Sequence, residues 1–186
     1  MDNFKVIIVE DVLVELKGTE GILRNEVPEA EIIATADSEE SFWQAFAKSK
    51  PDLVLLDLGL GGSTTVGIDI CSRLKSEHPE VKVLIFTGEI LNEHLWVDAL
   101  DAKCDGIILK TGELLTRDDV ASVMNGKRLV FNQPILAKIV ESFIRSVKNE
   151  IQNREALIRY EIDEYDERFL RHLALGYTKE QISNLR

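Results

Sequence analysis

Long apolar runs, basic residues and cysteines are all scarce in this chain of 186 residues. No stretch approaches the roughly 20 consecutive apolar residues that a membrane-spanning helix needs. The N-terminus has neither the basic start nor the longer apolar segment of a signal peptide. We therefore expect a cytoplasmic protein that makes no contact with a membrane.

Basic residues are outnumbered by acidic ones, with 22 Lys and Arg against 33 Asp and Glu and a net charge of -11. Because nucleic-acid affinity begins with clustered Lys and Arg, this balance disfavours binding of DNA or RNA through bulk charge. The two cysteines, Cys71 and Cys104, have neither CxxC nor metal-site spacing. We expect both thiols to be buried and reduced.

Short apolar runs alternate with helical patterns through the first 126 residues. Runs of this kind, without polar alternation, are typical of strands that are covered on both faces. They lie at residues 6–9, 31–36, 53–56, 81–86 and 106–109, and each is followed by apolar residues at helical spacing. Five βα repeats predict an α/β fold with a parallel sheet and helices on both of its faces.

Polar residues with active chemistry stand at the ends of these strands. They are Glu10, Asp11, Asp57, Thr87 and Lys110. Because the carboxyl ends of parallel strands meet at one edge of a sheet, we expect these residues to share one crevice. Carboxylate oxygens suit Mg²⁺, and a nucleophilic carboxylate beside a metal and a fixed cation is equipped for phosphoryl transfer.

Each of these residues also has a simpler interpretation. Adjacent acids such as Glu10 and Asp11 are often merely solvated, and Thr87 is of a type that is common in strands. Lys110 would suit the role of a structural counter-ion for Asp57, which an apolar environment would otherwise destabilise. The recurrence at successive strand ends favours the functional interpretation.

Four motifs together resemble the receiver domain of two-component response regulators, and the resemblance covers residues 1–126. The motifs are Ile8-Val9-Glu10-Asp11, Leu55-Leu56-Asp57-Leu58, Phe86-Thr87-Gly88 and Gly106-Ile107-Ile108-Leu109-Lys110. The resemblance implies a flavodoxin-like (βα)5 fold whose five parallel strands have the order 2-1-3-4-5.

The same resemblance implies a role for each site residue. Asp57 would accept a phosphoryl group from a sensor histidine kinase or phosphotransfer protein, so the chain would be a phosphoacceptor rather than an enzyme. Glu10, Asp11, Asp57 and the backbone carbonyl of Gly59 would bind Mg²⁺. Thr87 and Lys110 would contact the phosphoryl oxygens.

Three features depart from the usual receiver pattern. Thr111 follows the lysine where a proline is common, and Ile107 replaces an aromatic residue whose movement usually reports phosphorylation. The loop at residues 59–67 is longer and richer in glycine than usual, but it lacks the Gly-Lys-Ser/Thr of a nucleotide-binding P-loop. We interpret it as a mobile lid over the phosphorylation site.

The segment at residues 127–164 predicts a helical linker. From residue 135 to residue 164 no Gly or Pro interrupts a stripe of apolar residues. This stripe would either pack against the receiver of its own chain or pair with a second copy. We favour pairing, and hence a homodimer, because the stripe is larger than one linker contact requires.

The last segment, residues 165–186, resembles the opening of a LuxR-type helix-turn-helix domain. The resemblance rests on the turn Leu175-Gly176-Tyr177-Thr178 and on Lys179-Glu180-Gln181-Ile182 after it. The sequence stops at Arg186, before a recognition helix, so DNA would be a partner only of a completed domain. We expect a LuxR/FixJ-type regulator of transcription; the alternative is a signalling receiver whose helical tail binds a protein partner.

Overall fold

The computed structural model describes residues 1–88, 93–110, 115–126 and 130–151. Contacts divide the chain into two compact units, Met1–Val130 and Phe131–Arg186, and each is considered by itself. The described strands are β1 Phe4–Val9, β2 Ala30–Ala36, β3 Leu53–Leu56, β4 Lys82–Thr87, β5 Gly106–Leu109 and β6 Val130–Phe131. The described α-helices are α1 Leu13–Glu26, α2 Glu39–Lys48, α3 Thr64–Glu77, α4 Glu93–Asp101, α5 Arg117–Met124 and α6 Gln133–Ile151.

The strands form one sheet in the order β2-β1-β3-β4-β5-β6, and β1 to β5 pair in parallel. This confirms the flavodoxin-like α/β fold and the predicted order of the first five strands. The sixth strand was not predicted. It has only two residues and joins the sheet beside β5, where the amide of Val130 donates to the carbonyl of Asp105 over 3.1 Å.

Both faces of the sheet are covered, as the continuous apolar runs predicted. All four residues of β3 and all four of β5 are buried. On one face, alternate strand residues pack with Leu16 and Leu23 of α1 and with Val120 and Val123 of α5. Strands β3 and β5 therefore have no solvated face, whereas β2, at the edge of the sheet, exposes Glu31 and Thr35.

Local hydrogen bonds fix where helices begin. At the start of α2, Ser38 and Ser41 form a reciprocal capping box. Thr116 and Asp119 form the same arrangement at the start of α5. These caps satisfy backbone amides that the first turn of a helix leaves without carbonyl partners.

Cys71 and Cys104 are both buried, as predicted. Burial raises the pKa of the Cys71 thiol to about 12 because the thiolate would lose its hydration. In the part of the chain that the structure describes, no helix is long and apolar enough to cross a membrane.

The second unit begins with α6, and Ile135 and Ile144 are its buried apolar residues among those described. Helix α6 confirms that the predicted linker is helical from Gln133 to Ile151, but its first described residues, Val130–Phe131, form a strand instead. Residues 127–129 and 152–186, which include the rest of the predicted linker and the predicted helix-turn-helix segment, lie outside the described residues.

Candidate functional site

All the residues predicted from the strand ends are found at the carboxyl edge of the sheet. Glu10 and Asp11 follow β1, Asp57 follows β3, Thr87 ends β4 and Lys110 follows β5. These four strands are neighbours in the sheet, so their ends are adjacent.

Backbone hydrogen bonds hold these strand ends together. The amide of Asp57 donates to the carbonyl of Val9 over 2.9 Å, and the amide of Lys110 donates to the carbonyl of Thr87 over 2.8 Å. The backbones of Asp57 and Lys110 are therefore held by the sheet itself.

Three carboxylates form the centre of the site. One oxygen each from Glu10, Asp11 and Asp57 lies within 4.8 Å of the other two. Glu10 is 3% exposed and Asp57 is 8% exposed. Burial raises the pKa of Glu10, because the ionised form is poorly hydrated there, although hydrogen bonds from Lys110 and from the amide of Val12 oppose the shift.

Lys110 provides the compensating positive charge. Its ammonium donates to Glu10, to Asp57 Oδ1 over 3.0 Å and to Glu15 Oε2 over 2.7 Å. Burial alone would lower the pKa of this lysine, but its hydrogen bonds to Glu10 and Glu15, together with the charge of Asp57, raise it above the ordinary value. Lys110 therefore stays charged at neutral pH.

The glycine-rich loop contacts the acids directly. It forms a 3₁₀ turn at Leu60–Gly62, which buried Leu60 anchors. The amide of Gly59 donates to Asp57 Oδ2 over 2.7 Å, and the amide of Gly61 donates to Asp11 Oδ2 over 2.8 Å. The loop thus orients two carboxylates, and its predicted movement as a lid stays a prediction.

The donor set fits a divalent cation. Asp11 Oδ1 is buried, and it has no hydrogen-bond partner among the described residues. A buried carboxylate oxygen without a donor is costly, and a hard cation such as Mg²⁺ would satisfy it. The three clustered carboxylates and the nearby backbone of Gly59 therefore suit the predicted metal.

Thr87, Ile107 and Thr111 are the residues that bear on how phosphorylation would be transmitted. Thr87 and Ile107 are fully buried in β4 and β5. Gly88, next to Thr87, is exposed, and a Cβ atom there would lie 4.0 Å from Lys110 Cδ. Thr111 lies outside the described residues.

A family model described as "Response regulator receiver domain" matches residues 6–117. The chain belongs to this family. A second model, described as "Family of unknown function (DUF5932)", matches residues 130–186. The receiver assignment agrees with the resemblance found in the strand-end motifs.

Curated relatives include several regulators. "Transcriptional regulatory protein ComA" of Bacillus subtilis (strain 168) is 26% identical over 188 residues, which cover 97% of this chain and 81% of that protein. "Response regulator protein VraR" of Staphylococcus aureus (strain NCTC 8325 / PS 47) is 28% identical over 144 residues, or 76% of this chain and 63% of VraR. "Methanol utilization control regulatory protein MoxX" of Paracoccus denitrificans is 34% identical over 83 residues, which span 45% of this chain and 36% of MoxX. The matches thus span only part of these relatives.

Solved structures share the receiver fold. The isolated REC domain of RcsB from Salmonella enterica serovar Typhimurium has a TM-score of 0.61 at 22% identity, covering 68% of this chain and 92% of that one. A LuxR-family response regulator from Aurantimonas sp. SI85-9A1 has a TM-score of 0.60 at 21% identity, covering 69% and 89%. At this identity the likeness concerns the fold alone.

Two residues of this receiver site were missed by the sequence analysis. Glu15, in the first turn of α1, contacts Lys110 although 95 positions separate them in the chain. Gly67, in α3, lies so close to β3 that a Cβ atom there would be 2.8 Å from the carbonyl oxygen of Asp57. The sequence signals were weak: an acid in a first helical turn is common, and Gly67 reads as part of a glycine-rich loop.

Proposed function

We propose that the protein is a phosphoacceptor response regulator in which Asp57 takes a phosphoryl group from a sensor histidine kinase or a phosphotransfer protein. The observation that supports this most directly is the setting of the Asp57 carboxylate. Its Oδ2 accepts from the amide of Gly59, and its Oδ1 accepts from Lys110. A nucleophile with both oxygens oriented, beside a fixed cation, suits attack on phosphorus.

The transfer itself requires one bond to form and one to break. A carboxylate oxygen of Asp57 would attack the phosphorus of a phosphohistidine, forming an O–P bond while the N–P bond breaks. The leaving imidazole nitrogen keeps the electron pair of that bond. Lys110 would stabilise the negative charge on the phosphoryl oxygens, and the hydroxyl of Thr87 would donate a hydrogen bond to one of them.

We propose Mg²⁺ as the cofactor, held by Glu10, Asp11, Asp57 and the backbone carbonyl of Gly59. When bound, the ion would neutralise charge on the acids and on the transferring phosphoryl group. The site's own residues would do the rest: Gly61 orients Asp11 through its amide, and Lys110 balances Glu10 and Asp57.

For the output, we propose control of transcription through a C-terminal DNA-binding domain, of which residues 165–186 would be the first part. The match to the transcriptional regulatory protein ComA of Bacillus subtilis, which covers 97% of this chain, supports this proposal. We also propose a homodimer formed through α6 and the linker that follows it. The amphipathic pattern of the linker supports that pairing.

The second candidate function is that of a signalling receiver whose helical tail binds a protein partner. The specific observation in its favour is that the tail, residues 130–186, matches a family model of its own whose function is unknown. Reading the coding frame beyond codon 186 distinguishes transcriptional control from the binding of a protein partner. A following helix with basic and polar base-reading residues would support transcription, whereas a stop codon would support the second output.

Phosphorylation of Asp57 can be tested with the purified chain. Incubation with Mg²⁺ and acetyl phosphate should add the mass of one phosphoryl group, as measured by intact-protein mass spectrometry. Asp57→Ala should abolish the added mass because the nucleophile is gone. Asp69→Ala, which removes an exposed aspartate from α3, is the matched control and should leave labelling unchanged. Labelling that persists in Asp57→Ala would refute the assignment.

A further inference from the structure

The inference concerns Glu15 and rests on the proposed phosphorylation of Asp57. An ammonium group has three N–H donors and no acceptor. The donors of Lys110 meet three carboxylates, those of Glu10, Glu15 and Asp57. A phosphoryl oxygen that pairs with Lys110 must therefore take the place of one of these carboxylates.

The three carboxylates are not equally easy to displace. Asp57 is the phosphoacceptor itself. Glu10 is 3% exposed, and its other oxygen accepts from the amide of Val12 over 3.0 Å. Separating Glu10 from Lys110 would leave a buried carboxylate without its cation, which is strongly unfavourable. The side chain of Glu15 is 46% exposed, so water can replace the ammonium there.

We propose that Glu15 is a positioning residue that competes with the phosphoryl group for Lys110. While Asp57 is unmodified, Glu15 holds one N–H of the ammonium at 2.7 Å. When a phosphoryl group is present, one of its oxygens accepts the hydrogen bond from that N–H. The side chain of Glu15 then rotates away from Lys110 and becomes solvated. Glu15 also places a negative charge beside the site that an anionic phosphoryl group enters. Both effects oppose phosphorylation.

The geometry around Gly88 is consistent with this exchange. A Cβ atom at Gly88 would lie 4.0 Å from Glu15 Oε2 and 4.0 Å from Lys110 Cδ. Glu15 and Lys110 therefore meet beside the residue that follows Thr87, at the ends of β4 and β5. Gly88 itself has no side chain that the Glu15 carboxylate would have to pass.

The test measures binding of beryllofluoride, an anionic mimic of the phosphoryl group, to the whole chain in the presence of Mg²⁺. Fluorine NMR reports the bound species directly. Glu15→Gln keeps the size of the side chain and removes its charge. We expect half-saturation at a roughly 2- to 5-fold lower beryllofluoride concentration than in the wild type, the range that one exposed ion pair contributes.

Two controls separate competition for charge from a structural effect. Glu26→Gln makes the same change at the exposed far end of α1 and should bind like the wild type. The advantage of Glu15→Gln should also shrink when the ionic strength rises from about 0.05 to about 0.5 M, because salt screens exposed charges. A structural effect of the substitution would persist in high salt.

The outcomes distinguish this inference from the proposed function. If Glu15→Gln binds no more tightly than the wild type, or if its advantage does not depend on salt, the role of Glu15 is wrong while Asp57 stands. If the wild type does not bind beryllofluoride, or if Asp57→Ala binds it equally well, the proposed phosphoacceptor is wrong.

Discussion

Glu10 shows that one residue can serve the site and at the same time weaken the fold. Its carboxylate is buried, and burial raises its pKa even though Lys110 is bound to it. The folded chain therefore binds the proton of Glu10 more readily than the unfolded chain does. The ionised form, which a metal requires, is the form that folding disfavours.

We predict that Glu10→Gln stabilises the metal-free protein at neutral pH. The stability that protonated Glu10 contributes is lost as the pH rises through the raised pKa of Glu10 in the folded state. Glutamine does not ionise, so the variant does not lose stability in this way. The melting temperature should rise by roughly 1–3 °C at pH 7. This difference from the wild type should shrink as the pH falls toward that pKa. Thermal unfolding in a chelating buffer measures both.

Glu31→Gln is the matched control for this comparison, because Glu31 is an exposed acid in β2. It should melt like the wild type across the same pH range. A lower melting temperature for Glu10→Gln at pH 7 would show that the hydrogen bond to Lys110 outweighs the burial of the charge.

At Gly67, α3 packs closely against the backbone that follows β3. A Cβ atom there would be 2.8 Å from both the carbonyl oxygen of Asp57 and the Cα atom of Leu58. Neither backbone atom can move aside cheaply. The spacing between α3 and the backbone of Asp57 and Leu58 therefore depends on the absence of a side chain at position 67.

We predict that Gly67→Ala lowers the free energy of unfolding by about 1–3 kcal/mol, as overpacking does in a tight core. It should also raise the Mg²⁺ concentration that half-maximal labelling of Asp57 requires, because the displaced strand end carries a proposed ligand. Urea unfolding and acetyl phosphate labelling measure the two effects.

Gly21→Ala in α1 is the comparison variant, since nothing lies within 4 Å of its Cβ position. Alanine favours a helix over glycine, so this variant should gain about 0.5–1 kcal/mol. If Gly67→Ala gained stability in the same way, the close packing of α3 on β3 would be contradicted.

The elements also show which parts of the fold were predictable. Strand β3 was predicted at its observed bounds because four buried apolar residues between polar neighbours give a clear signal. Strand β6 was missed because two residues carry no periodicity. The site residues at strand ends followed from the topology, whereas Glu15 depended on a contact between α1 and the end of β5 that no local pattern encodes.

The whole molecule divides into two units with different expected roles. The unit Met1–Val130 contains all the predicted site residues, and β6 ends at Phe131. A fragment of residues 1–131 therefore keeps every described strand. It should fold alone and bind beryllofluoride.

We predict that the full chain is a dimer and that the fragment of residues 1–131 is a monomer, because the fragment lacks α6 and the linker. Size-exclusion chromatography with light scattering, with and without beryllofluoride, measures both states. A full chain that stays monomeric in both conditions would contradict dimerisation by the linker. A dimeric fragment would show that the dimer interface lies in the receiver unit.

The turn at Leu60–Gly62 limits how this molecule can vary. Gly61 donates its amide to Asp11 from a backbone conformation with φ of 62°, and nothing lies within 4 Å of its Cβ position. Space would accept almost any side chain there, but the backbone conformation is costly for residues other than glycine. Gly62 has a φ of 75° and is equally open around its Cβ position, so two successive exposed positions in this loop are restricted by backbone conformation alone.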